Sequence, residues 1–220
     1  MTAGQIYLDG KDRVSALARS LTEDELATTT PSCPEWTAKD VVSHLVGGAK
    51  DFVAGTADGS PEWTARHVRE GKGRSLDELF AEWDGVIGEL VPLIDGNAGL
   101  FVVPLDLVTH EQDVRNAVGK PGVRDNDGID WGLQKVMSVL GGKLKQEGAP
   151  ALRITAGDDE FLLGGGGEPV EVDVDRYELF RAALGRRSES QVRDWAWKGD
   201  PTPFLGGLSV FGLAARDVRE

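Results

Sequence analysis

Apolar residues recur at helical spacing through the first half of the chain. Ile6, Val14, Leu17, Ala18 and Leu21 keep to one side of a helix over about residues 5–21, which Gly10 weakens. Thr22 and Glu25 have capping-box spacing and predict one further turn. The threonine and proline run from Thr28 to Pro34 then favours extended or turn backbone. Thr37 and Asp40 form a second capping box, and Trp36 can staple onto Val41, so a helix is expected from Ala38 to about Ala54. A polar connection is expected from Thr56 to Arg74. Ser75 and Glu78 cap the next helix, whose stripe runs Leu76, Leu79, Phe80, Trp83, Val86, Ile87, Leu90. Pro104 suits the first turn of a fourth helix ending near Val118. Four helices joined by moderate linkers predict an antiparallel four-helix bundle.

The texture changes further on. Ile129, Leu133, Val136, Met137, Leu140 and Leu144 mark a short helix. Leu152–Thr155, Glu160–Leu163 and Pro169–Val174 read as strands separated by Gly- and Asp-rich turns. Asp175 and Glu178 cap a helix that stops at Gly185, and Ser188 with Gln191 cap another carrying Val192, Trp195 and Ala196. Leu208–Phe211 can add an edge strand. The expected class is α+β: a helical bundle over 1–122 and a small α+β domain over 127–220.

Composition narrows the function classes. A 220-residue chain with a formal charge of −13 repels nucleic acid and anionic membrane as a whole. No long apolar run follows a basic start, and no stretch reaches spanning length, so the expected location is the cytoplasm. The single cysteine, Cys33, excludes an intrachain disulfide and a thiolate-rich zinc site.

Candidate chemistry centres on the stretch Pro104–Arg115. Asp106 and His110 are four residues apart and share a helix face, and His44 lies beside the buried stripe of its own helix. Together they form a three-ligand metal set with open positions, a pattern suited to catalysis. The plainer alternatives are hydrogen-bonded core histidines and an Asp106 favoured by the exposed N–H groups of a first helical turn. Asp113 can replace Asp106 as a ligand or orient His110, or it belongs to a solvated face. Arg115 can hold a substrate carboxylate, or make a surface ion pair. His67 reads as surface, and Cys33 as a packing residue. Trp195 and Trp197 can line a pocket, though the core is favoured. Gly47-Gly48 would let another backbone or a ligand come close.

The stretch Pro31–Leu45 resembles the opening signature of the mycothiol-dependent maleylpyruvate isomerase family of actinobacteria, whose N-terminal domain is a DinB-like four-helix bundle. Asp106–Arg115 is similar to its second signature, and Gly185–Gln191 loosely to the end of its C-terminal domain, a sterol-carrier-like α+β fold. The resemblance implies a divalent metal, usually zinc, on His44, Asp106 and His110, with aspartate where the isomerase pattern has glutamate. It implies mycothiol as thiol cosubstrate and isomerase or S-transferase chemistry on a small electrophile, with Arg186, Arg187, Arg193 and Arg216 among the candidates for substrate binding. A non-catalytic metal or small-molecule binding module and a zinc-dependent hydrolase are the alternatives on the same bundle.

Overall fold

The computed structural model describes residues 1–220. The chain divides into two compact units, Met1–Val123 with Glu220, and Arg124–Arg219. The expected class is the one observed, a helix-rich first part followed by a small mixed-sheet part. No single helix is long and apolar enough to cross a membrane.

The first unit contains α1 (Ala3–Arg19), α2 (Glu23–Leu26), α3 (Ala38–Ala54), α4 (Pro61–Gly71), α5 (Leu76–Gly96) and α6 (Val102–Ala117). The capping boxes read from Thr22/Glu25, Thr37/Asp40 and Ser75/Glu78 all form, so the starts of α2, α3 and α5 are set locally. Its core draws Tyr7 and Val14 from α1, Val41, Leu45 and Ala49 from α3, Leu79, Phe80 and Trp83 from α5, and Val103, Leu107 and Val114 from α6. Inside that core, the Trp83 indole N–H donates to the Tyr7 hydroxyl at 2.8 Å, which satisfies a polar tip among apolar neighbours.

Two expectations change here. The connection from Thr56 to Arg74 contains a helix, α4, with Ser60 as N-cap and Pro61 at its first position. Its stripe Trp63, His67, Gly71 recurs every fourth residue and meets Ser43, Gly47 and Asp51, the same spacing on α3. Three aligned pairs along two neighbouring helices outweigh the poor apolar content that hid α4 in the sequence. The second change is the start of α6. It begins at Val102 after a 3-10 turn over Ala98–Phe101, so Asp106 lies beyond the first turn and the free N–H groups there do not explain it.

The second unit contains α7 (Asp127–Gln146), β1 (Leu152–Ala156), β2 (Asp159–Leu163), β3 (Val170–Asp173), α8 (Arg176–Ala183), α9 (Glu189–Arg193) and β4 (Ala196–Lys198). The sheet order is β2-β1-β3-β4, with β1 antiparallel to β2, parallel to β3, and β3 antiparallel to β4. In β1, Leu152, Ile154 and Ala156 face inward, as the period-2 pattern requires. The fourth strand is not Leu208–Phe211, whose backbone is bent and irregular. It is Ala196–Lys198, because α9 ends at Arg193 and Glu171, Val172 and Asp173 of β3 pair with the segment that follows. Trp195, Trp197 and Phe204 stack in sequence, with ring centroids 6.3 and 6.2 Å apart, and both tryptophans are half-buried.

Gly47 and Gly48 respond in opposite ways to a methyl group. A Cβ on Gly47 would overlap the His67 ring, whereas one on Gly48 would sit 3.8 Å from Trp63. Both substitutions gain about 1 kcal/mol of helix propensity, but overpacking costs about 1–3 kcal/mol. Gly47→Ala is therefore expected to lower the melting temperature and Gly48→Ala to hold or raise it. Equal shifts for the two would show that the α3–α4 approach is not tight.

Candidate metal centre

The functional cluster is built where α3 and α6 face each other. His44 comes from the middle of α3, and Asp106 and His110 from successive turns of α6. Their ligand atoms all lie within 4.8 Å of one another. His44 Nε2 is 3.3 Å from Asp106 Oδ2, and His110 Nε2 is 3.4 Å from Asp106 Oδ1. Both imidazoles are buried, while the Asp106 side chain keeps 46 % of its surface exposed, so the cluster opens to solvent on the carboxylate side. Trp36 lies across both rings, with centroids 5.1 Å from His44 and 6.1 Å from His110. The Trp36 that was read as a helix staple is also part of the cluster wall.

Charge is distributed to match. Burial opposes ionisation of Asp106, but the positive charge and hydrogen bonds of His110, with those of His44, outweigh it and hold the carboxyl far below the ordinary range. Burial likewise opposes the His110 cation, yet Asp106 first and Asp113 next raise its pKa from 6.5 to about 9. Solvent reaching Asp106 screens this attraction, so the pair is weaker than a sealed one. Asp113 is fully buried with an oxygen 2.9 Å from His110 Nδ1, which places it behind the imidazole and off the solvated face. Burial and the Asp106 charge both raise the pKa of the Tyr7 hydroxyl, keeping it neutral.

Other candidate residues fall differently. Arg115 is not brought to the cluster. Its Nε and Nη2 both reach Glu111 Oε1, at 3.1 and 2.9 Å, and Glu111 also receives Arg13 Nε at 3.0 and 2.9 Å. Glu111 is 1 % exposed, and a buried carboxylate needs such partners, so Arg115 serves the core. Cys33 is half-buried, and its sulfur comes within 4.8 Å of ligand atoms of His110 and Asp113, a setting no neighbour in sequence announces. In the second unit Arg187 holds Glu178 through Nε and Nη2 at 2.5 and 2.7 Å, Arg186 bonds the Leu184 carbonyl, and Arg193 pairs with Glu189.

His67 is the residue that sequence reasoning missed. Expected on the surface, it is 1 % exposed, with Nδ1 3.2 Å from His44 Nδ1 and Nε2 2.7 Å from Asp51 Oδ2. Asp51 also accepts from Trp63 Nε1 at 2.6 Å and Arg66 Nη2 at 2.5 Å. Burial lowers the pKa of His67, only partly offset by Asp51. Burial works against the Asp51 anion too, but bonds from His67, Arg66 and Trp63 keep its pKa below the ordinary value. The available signal was the four-residue spacing of Trp63, His67 and Gly71 behind Ser60-Pro61.

Residues 7–94 match the family model described as the mycothiol maleylpyruvate isomerase N-terminal domain. That match lies wholly within the first unit. The match includes His44, His67 and the first signature, and it ends before α6. Two solved structures have a similar fold. A histidine-to-alanine mutant of the mycothiol-dependent maleylpyruvate isomerase aligns with a TM-score of 0.58 and 13 % identity, covering 83 % of this chain and 88 % of that one. Another structure of the mycothiol-dependent maleylpyruvate isomerase aligns with a TM-score of 0.54 and 14 % identity, over 85 % and 89 %. No curated protein matches by sequence. The resemblance drawn from the first signature is borne out by that match, and at these identities the structural likeness establishes the fold.

The raised pKa of His110 fixes a sign for metal-free protein. Its contribution to stability is fully present below the unfolded value of 6.5 and is lost as pH rises through about 9. Asp106 behaves oppositely, contributing above 3.8 and losing that contribution as pH falls through its depressed value. With chelator present, the melting-temperature gap between the parent and His110→Ala is expected to narrow between about pH 7 and pH 10. A gap constant over that range would show that the pair does not titrate as described.

Proposed function

We propose that the chain is a mycothiol-dependent isomerase, or an S-transferase of the same chemistry, in which His44, Asp106 and His110 hold a divalent cation. The observation that carries this reading is the donor set itself. Two imidazole nitrogens and one carboxylate converge, and the exposed side of Asp106 leaves room for a further ligand. Zinc bonds of about 2.0–2.1 Å imply a tetrahedral ligand-to-ligand edge of about 3.4 Å. The 3.3 and 3.4 Å separations at Asp106 are of that length, one to each carboxylate oxygen.

A cation bound here would supply Lewis acidity and stabilise a low-molecular-weight thiolate at neutral pH. The chain's own residues prepare the place. Asp106 brings the negative charge that offsets a dication, and its shortness relative to glutamate draws the cation toward α6. His110 must give up a proton to present Nε2, so binding competes with protonation and strengthens as pH rises. Asp113 faces the opposite nitrogen of His110 and favours a proton there, which leaves Nε2 for the cation. Trp36 covers the two rings and limits water on that side. A small thiol and a small electrophile are the partners this opening admits, and the net charge of −13 disfavours nucleic acid.

The test begins with metal content of protein purified without chelator or affinity metal, measured by elemental mass spectrometry. The parent is expected to hold near one zinc per chain, and His44→Ala, Asp106→Ala and His110→Ala to hold little while far-UV circular dichroism stays the same. Turnover of an unsaturated acidic electrophile should then require both zinc and the thiol. A parent that arrives metal-free and refuses added zinc would replace this reading with a non-catalytic binding module. Zinc-dependent turnover without any thiol would make the protein a hydrolase.

A further inference from the structure

Behind His44 lies a second row of polar groups that the proposed ligand set does not use. His44 presents Nε2 to Asp106 and Nδ1 to His67, and His67 in turn presents Nε2 to Asp51. The two Nδ1 atoms are 3.2 Å apart, so one carries a hydrogen and the other a lone pair. Two orders of protons satisfy that geometry. In one, His44 donates to His67. In the other, His67 donates to His44, which forces the remaining proton of His44 onto Nε2, facing Asp106.

Asp51 and an occupied Nε2 on His44 separate the two. A carboxylate only accepts, so His67 Nε2 carries a hydrogen at the 2.7 Å contact. The negative charge of Asp51 is already met by the Arg66 guanidinium at 2.5 Å and the Trp63 indole N–H at 2.6 Å. When a cation occupies His44 Nε2, the one hydrogen of that ring lies on Nδ1, and His67 Nδ1 is left as its acceptor. His67 is then the neutral ring with its hydrogen on Nε2 and its lone pair on Nδ1.

We propose that Asp51 and His67 are positioning residues that set the proton order on His44 as a ligand: its Nδ1–H donates to His67, and Nε2 is the nitrogen left to the cation. In its use for a metal, this rests on the reading of His44 as a ligand. A metal-binding histidine commonly gives its second N–H to a partner, and loss of such a partner weakens metal affinity about 10–100-fold. Here the partner is another histidine, held by its own carboxylate. The ring is seated over Gly47, where any side chain would displace it.

The experiment pairs nitrogen NMR with zinc titration. In parent protein labelled at the histidine nitrogens, His67 is expected to show a protonated Nε2 and an unprotonated Nδ1. In the zinc-bound protein a through-hydrogen-bond coupling should link the His44 Nδ1–H to His67 Nδ1. His67→Phe, which cannot accept, should bind zinc about 10–100-fold more weakly. His67→Gln offers a carbonyl to His44 and an amide to Asp51, and should recover most of that affinity. A purely packing role for His67 predicts the reverse, since phenylalanine fills the space better than glutamine. The parent's coupling is decisive even if a variant fails to fold. Absence of the coupling, a proton on His67 Nδ1, or unchanged zinc affinity in His67→Phe each overturns the proposal. A parent that takes no zinc yet shows the coupling loses the metal reading and keeps the proton order.

Discussion

A carboxylate held between two imidazoles at the edge of a helical core is the arrangement on which the first unit turns. Asp106 is kept ionised by His110 and His44, against the burial that favours its neutral form. Such a group is costly to bury unless every polar atom around it finds a partner. The partners come from the whole unit: His44 from α3, His110 and Asp113 from α6, and, one layer back, His67 from α4 with Asp51. The carboxylate's open side is the one place where this matching is left to solvent or to a ligand.

The same constraint explains why α6 lacks a clean apolar stripe. Thr109, His110, Glu111, Gln112 and Asp113 are all buried, and each belongs to a polar arrangement, not a wet face. Glu111 gathers Arg13 and Arg115, which secures α1 against α6 but removes Arg115 from the chemistry. One turn earlier, Asp106 faces the histidines instead. Two carboxylates five residues apart thus do opposite work, one closing the core and the other leaving it open.

Family likeness and local geometry contribute separately. The match over residues 7–94 covers the first signature and α3, α4 and most of α5, but it does not reach Asp106 or His110. Those two residues enter through the geometry alone, which brings α6 within reach of His44. The fold gathers a donor set at this place, and its open side is at Asp106.

Local chemistry in the sequence was enough for whatever depends on near neighbours in the chain. Capping boxes at Thr22, Thr37 and Ser75 set helix starts, apolar runs between Gly- and Asp-rich turns marked β1, β2 and β3, and the four-residue spacing placed Asp106 and His110 on one face. Tertiary structure decided what depends on distant partners. α4 is poor in apolar residues, and only the matching stripe of α3, with Gly47 and Gly71 allowing close approach, brings it in and buries His67. β4 is a strand because β3 presents an open edge, and Arg115 is a core residue because Arg13 and Glu111 are already there. Helix caps and periodicity act within a few residues, whereas burial of a charged or polar group is settled by partners that the chain brings together only when folded.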